Sequence, residues 1–171
     1  CKTFNIPMAV GSQKIGLVEA EAIESFELVR ENLIKNENIV IGNLSARESL
    51  ESVQKAIDMI DSDMFGLHLN PIQELIMEEG DREFSGIKAN IKNILENVDV
   101  PIIVKEVGYG MSKKTIYELY DLGVRYIDIA GFGGTNFSEI EDNRRFDMEF
   151  SEFYCWGIPT AKILLDMQDK P

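Results

Sequence analysis

Phe65-Gly-Leu-His-Leu-Asn-Pro-Ile-Gln-Glu74 is the stretch from which the fold is read. An apolar strand run there ends in His68, Asn70, Gln73 and Glu74, so an imidazole, two carboxamides and a carboxylate fall within seven residues. Core packing gives no reason for that density, and burying such groups unpaired costs several kcal/mol. The same pattern recurs at Ile39-Val-Ile-Gly-Asn-Leu-Ser45, Pro101-Ile-Ile-Val-Lys-Glu-Val-Gly108 and Arg125-Tyr-Ile-Asp-Ile-Ala-Gly-Phe-Gly-Gly-Thr135. Each is a short apolar run whose C-terminal end carries Asn, Lys or Gly and Thr. In α/β proteins ligands are held at that end of the strands.

Periodicity between these runs predicts alternating strands and helices. Strands are expected near residues 7–10, 39–42, 64–69, 101–106 and 126–130, all parallel. Helices are expected over 17–35, 49–60, 87–96, 112–122 and 158–166, the last just before Pro171. Ser112 is an N-cap and Gly123 a C-terminal stop. Residues 78–86 read as a loop and 136–153 as a polar connection. Strands separated by helical crossovers imply a parallel sheet with right-handed connections. A spacing of roughly 25 to 35 residues fits either a barrel or a doubly wound sheet. The Rossmann fingerprint is absent, since Gly11-Ser-Gln-Lys-Ile-Gly16 lacks its middle glycine. Polar groups at every strand end favour a TIM (β/α)8-barrel fold in an α/β chain, here an incomplete barrel of about five parallel strands. Val10, Ile41, Leu67, Val104 and Ile129 are expected to line its inner face.

Composition narrows the function classes. At 171 residues the chain is about one domain long, read as a single partial barrel domain over 1–171. The net charge of −13 argues against general nucleic-acid binding, which depends on neutralising phosphates. The acidic stretches Glu19–Glu24 and Glu48–Glu51 read as solvated helix surfaces. No apolar run reaches the roughly 18 residues of a membrane span. Cys1 and Cys155 provide no disulfide framework, which suggests a reducing cytoplasm. One histidine and two distant cysteines make no zinc cluster.

Lys105 closes a strand that is otherwise wholly apolar, which suggests a cation held beside an electron-rich or anionic group. The glycines of Gly131–Thr135 leave backbone N–H groups free for a phosphate. Glu74 beside Gln73 offers hard oxygen to Mg²⁺ bridged to substrate phosphates.

Six motifs in order resemble the type 2 isopentenyl-diphosphate isomerases. They are Ile6-Pro-Met-Ala-Val-Gly-Ser-Gln13, His68-Leu-Asn-Pro-Ile-Gln-Glu74, Glu79-Gly-Asp-Arg82, Val104-Lys-Glu-Val-Gly108 with Gly110-Met-Ser112, Ile127-Asp-Ile-Ala-Gly131 with Gly133-Gly-Thr-Asn-Phe137, and Trp156-Gly-Ile158. The resemblance implies an FMN-bound barrel enzyme of isoprenoid synthesis that converts isopentenyl diphosphate to dimethylallyl diphosphate. It implies FMN reduced by NADPH, Mg²⁺, a cytoplasmic location, and a homo-oligomer that binds neither membrane nor nucleic acid. The flavin there acts as an acid/base at the allylic carbons. This suits a sequence with no strong acid/base pair aimed at an alkene.

Carried over residue by residue, Gln73 and His68 are the catalytic candidates and Glu74 the metal ligand. Ser12, Gln13, Lys14, His68, Asn70 and Gln73 are expected at the substrate, and Ser12, Asn43, Lys105 and Thr135 at the flavin. Lys14 stands where the family usually has Arg; it keeps the charge but loses the bidentate fork. The family's Arg-Lys diphosphate pair and first flavin loop would precede Cys1, and its Gly-Gly-x-Arg phosphate loop would follow Pro171. An incomplete arc of this kind is expected to associate with itself or a complementary fragment, and to bind FMN weakly. Two other readings stay open. One is an FMN oxidoreductase of the 2-hydroxy-acid oxidase type, which needs a late-strand His/Arg pair not visible here. The other is a non-catalytic half-barrel.

Overall fold

The computed structural model describes residues 1–146 and 149–168. Among these residues the sheet has five strands, β1 (Met8–Ala9), β2 (Val40–Ser45), β3 (Met64–His68), β4 (Ile102–Lys105) and β5 (Tyr126–Asp128). They lie in the order β1-β2-β3-β4-β5, and every pair is parallel. The α-helices that accompany them are α1 (Lys14–Val18), α2 (Ile23–Asn32), α3 (Leu50–Met59), α4 (Pro71–Ile76), α5 (Ile87–Asn97), α6 (Lys113–Leu122), α7 (Phe137–Asp142) and α8 (Thr160–Asp166).

The TIM-barrel assignment is corrected by this pairing. A barrel requires its first strand to pair with its last, yet among the described residues β1 pairs only with β2 and β5 only with β4. What the structure supports is an α/β fold built on an open, five-stranded parallel half-barrel sheet.

Alternation along the strands sets the two faces. Leu44, Phe65, Leu67, Ile102 and Val104 are buried and pack with Val53, Ala56, Ile57, Ile91, Ile94, Ile116 and Leu119 of α3, α5 and α6. Leu67 and Val104 therefore face the helices, not the inner side as the sequence suggested. The opposite face carries Asn43, Ser45, His68, Ile103 and Lys105, none fully buried. Burial of this helix-facing row is favourable at ~25 cal/mol per Å² of apolar surface removed from water.

Local signals explain most element ends. Ser49 and Ser112 cap α3 and α6 by accepting from Ser52 N and Thr115 N, each at 3.1 Å. Gly123 ends α6 at φ +115°, a left-handed position that favours glycine. The single helix expected over 17–35 is instead α1, a 3-10 turn at Ala20–Ala22, and α2. Two short helices were not anticipated. Pro71 pre-sets α4 at its first position. Asn136 caps α7 inside the stretch read as a connection, of which residues 147 and 148 lie outside the described residues, as does Pro171.

The N-terminal ends of the strands are fastened by Arg30. Its Nη2 lies 2.7 Å from Asp63 Oδ2, and the same guanidinium donates to the carbonyls of Ile60, Leu33, Asn38 and Asp61. Asp63 also accepts from Val40 N at 2.8 Å and pairs with Lys35. No helix of the described residues is long and apolar enough to cross a membrane.

Candidate functional site

Parallel register assembles the site. Ser45, His68, Lys105 and Asp128 are neighbours across four strands, one residue row before the C-terminal edge loops. Because side chains alternate with period two, all four project from the open face. Asn43 lies two residues before Ser45, on the same face, and pairs with Gly66. The missing side chain at Gly66 matters: a Cβ there would sit 3.3 Å from the Gly42 carbonyl and 3.7 Å from Lys105 Cδ.

Above this row opens a cleft of about 930 Å³. Ser12, Lys14, Asn43, His68, Asn70, Gln73, Glu74 and Lys105 line it. Eight of the ten residues singled out from the sequence therefore meet in one place. Gln13 and Thr135 do not line it. Gln13 is fully buried: its Nε2 donates to Ala56 O at 2.8 Å and its Oε1 accepts from Asn43 N at 3.0 Å. It ties the loop after β1 to β2, holding Ser12 and Asn43 in place. Thr135 is exposed beyond Gly108. In the glycine run before it, Gly131 is used for packing, since a Cβ there would collide with Thr160 N.

His68 Nδ1 lies 3.0 Å from Asn43 Oδ1. A carboxamide oxygen only accepts, so Nδ1 carries the proton and Nε2 presents its lone pair. Burial, followed by the positive charge of Lys105, lowers the His68 pKa to about 4. The imidazole is thus neutral at physiological pH. Lys105 donates to the Glu106 carbonyl at 2.8 Å and, among the described residues, forms no ion pair. Glu106 turns inward, and one carboxylate oxygen accepts from the N–H groups of Val107, Gly108, Tyr109 and Gly110. Burial pushes that carboxyl up, against the pull of the four N–H bonds. The loop that follows Lys105 is thereby fixed.

On α4, Asn70 Nδ2 donates to Gln73 Oε1 at 3.3 Å and Glu74 Oε1 at 3.1 Å. Glu74 Oε2 accepts from Asp81 N at 2.8 Å. Gln73 Nε2 donates to Glu141 Oε1 at 2.8 Å, across 68 residues of sequence. Glu141 is buried on α7 and paired with Arg144 at 2.5 Å. It escaped the sequence reading because α7 did; buried Ser138, Glu141 and Asp142 share one helical face, and that spacing was the available signal. Two further groups were missed. Arg47 lines the cleft, and Glu48 turns into it to pair with Lys14 instead of lying on an outer surface. Among the described residues no three His, Cys, Asp or Glu side chains form a closed metal cluster.

The chain is similar to proteins named isopentenyl-diphosphate delta-isomerase. It is 42% identical to that of Listeria innocua over 163 residues, covering 95% of this chain and 45% of the relative. It is 45% identical to that of Bacillus pumilus over 166 residues (97% and 46%). With that of Bacillus licheniformis the identity is 46% over 162 residues (95% and 46%). The chain spans about half the length of the curated relatives it matches. No family model matches it.

Proposed function

We propose that this cleft binds isopentenyl diphosphate and serves its isomerisation to dimethylallyl diphosphate in the type 2, FMN- and Mg²⁺-dependent manner. The observation that carries this is the convergence of His68, Asn70, Gln73, Glu74, Lys14 and Lys105 in one cleft. The similarity to named isomerases along nearly the whole chain supports it.

The residues present fit both groups. Gly66 leaves a low floor between Asn43 and Lys105, and a Cβ added at Gly11 would meet nothing within 4 Å, so a planar ring has room. Ser12, Asn43 and Lys105 would hold the flavin, with NADPH as its reductant. When bound and reduced, the flavin supplies acid/base chemistry at the allylic carbons. Glu74 offers one carboxylate, and Mg²⁺ commonly uses one or two carboxylates together with substrate phosphates.

Gln73 meets the substrate in an orientation set by Glu141 and Asn70. His68 answers the diphosphate. An anion beside it would favour the imidazolium against burial and Lys105, and with a proton taken up from solvent Nε2–H would donate a hydrogen bond to a phosphate oxygen. Lys14 adds a point charge at the same wall.

The test is conversion of isopentenyl diphosphate by the full-length protein, followed by NMR, with reduced FMN and Mg²⁺. Turnover that requires both supports the proposal. Flavin-dependent oxidation of a 2-hydroxy acid without isomerisation would overturn it.

A further inference from the structure

Three cationic side chains stitch the rim of the cleft through ion pairs. Lys14 Nζ, at the start of α1, lies 2.5 Å from Glu48 Oε1 in the loop after β2. Arg144 Nη2, after α7, lies 2.9 Å from Glu79 Oε1 in the loop after α4. Between them, Arg47 Nη2 pairs with Asp81, and its Nη1 stands 3.6 Å from Glu74 Oε2. Lys14 and Arg144 are more than half exposed, whereas the Arg47 side chain is 25% exposed and Glu74 only 15%. Screening by solvent is therefore weakest at Arg47.

Arg47 also sits on the carboxylate that the proposed metal would need. Glu74 already receives Asn70 Nδ2 and Asp81 N, and the guanidinium supplies its countercharge. A divalent cation and a guanidinium at one carboxylate oxygen repel each other. If the metal takes Glu74, Arg47 must leave, and it leaves inside a cleft that a diphosphate shares.

We propose that Arg47 is a resident counter-ion of Glu74 and Asp81 that exchanges partners on substrate binding. The divalent cation takes Glu74, and the released guanidinium moves onto the diphosphate. This inference rests on the reading that a metal-bridged diphosphate binds at Glu74. A guanidinium fork matches two phosphate oxygens as well as it matches a carboxylate, so the exchange keeps every charge paired. Asp81, vacated by Arg47, becomes a second carboxylate near the metal. The exchange also couples the two ligands: each alone must displace an existing ion pair, and together they satisfy all the charges released. Such coupling is reciprocal. Arg47 is thus a ligand-binding residue in this scheme, and its exchange sets which ligand combinations the cleft accepts.

The experiment titrates the full-length protein with Mn²⁺ alone, followed by electron paramagnetic resonance of the free ion. A second titration uses inorganic pyrophosphate alone, followed by calorimetry. Arg47→Gln is expected to tighten Mn²⁺ about three- to tenfold and to weaken pyrophosphate about tenfold, in keeping with a partly exposed ion pair. Arg47→Lys keeps the charge, so Mn²⁺ affinity should stay within about twofold while pyrophosphate weakens with the lost fork. Asp81→Asn frees the guanidinium from its other side and should tighten pyrophosphate about threefold. These last two variants decide the matter if Arg47→Gln does not fold. Unchanged or weaker Mn²⁺ binding in Arg47→Gln, with Glu74→Gln still losing the metal, makes Arg47 a mere loop strap and overturns the exchange alone. Mn²⁺ binding that is indifferent to Glu74→Gln overturns the metal assignment and the exchange with it.

Discussion

The two ends of this sheet use the same ion-pair chemistry for opposite purposes. At the N-terminal ends of the strands, Arg30 and Asp63 are anchored to backbone: the guanidinium donates to four carbonyls and the carboxylate accepts from Val40 N. At the C-terminal ends, Lys14–Glu48 and Arg47–Asp81 join side chain to side chain across a cleft of about 930 Å³. Backbone partners cannot leave without unfolding, whereas side-chain partners can be exchanged for a ligand's charges. The difference lies in what surrounds the pair, since the residue types are alike.

The largest effect is expected at the cleft end. In the full-length protein, Gln73→Ala or Glu74→Ala is expected to lower isomerisation at least about a hundredfold, about 2.7 kcal/mol of barrier. FMN affinity should stay within about twofold. Loss of bound-flavin absorbance in either variant would show that these side chains serve the flavin and not substrate and metal.

Next in size comes the opposite end. Arg30→Ala should lower unfolding stability by about 2 kcal/mol, because it leaves a half-buried carboxylate and several carbonyls without their donor. Urea unfolding measures this, and a loss no larger than that of Lys14→Ala would erase the proposed contrast.

Acid should separate the ends as well. His68 is held neutral with a pKa of about 4, below its ordinary 6.5. The unfolded chain therefore binds this proton first, and the stability it represents is present above pH 6.5 and lost as pH falls toward about 4. For Asp63, burial opposes ionisation, but Arg30, Val40 N and Lys35 outweigh it and hold the carboxyl below its ordinary 3.8. That contribution is present above pH 3.8 and lost only below it. His68→Gln is expected to flatten the stability profile between about pH 4 and 6.5 and leave the more acidic limb unchanged. An unaltered slope in that window means that His68 is not buried as described.

The smallest effect is expected for Lys14→Ala. Its ammonium is mostly exposed, so stability should change by less than about 0.5 kcal/mol. Calorimetry should nonetheless show weaker pyrophosphate binding, and identical binding would remove Lys14 from the diphosphate wall.

Much of this molecule follows from its sequence alone. Apolar β-branched runs such as Ile102-Ile-Val-Lys105 form strands, amphipathic segments between them form helices, and crossovers of helical length make the sheet parallel. Polar residues that end those runs then lie at one end of the sheet, which is why eight of the ten anticipated site residues meet in the cleft. Tertiary structure decided the rest. Register put His68 level with Lys105, and burial, followed by that neighbour's charge, keeps the imidazole neutral. Packing of α7 against α4 brought Glu141 to Gln73 over 68 residues. Gln13 turned inward to satisfy Asn43 N, and Leu67 turned toward the helices. Strand pairing made an open half-barrel sheet where part of a TIM barrel was expected. Which residues alternate and where a strand ends are set by sequence, because these follow from local backbone geometry. Which charged group faces which is decided only when loops distant in the chain share one rim, and this is how Arg47 came to rest on Glu74.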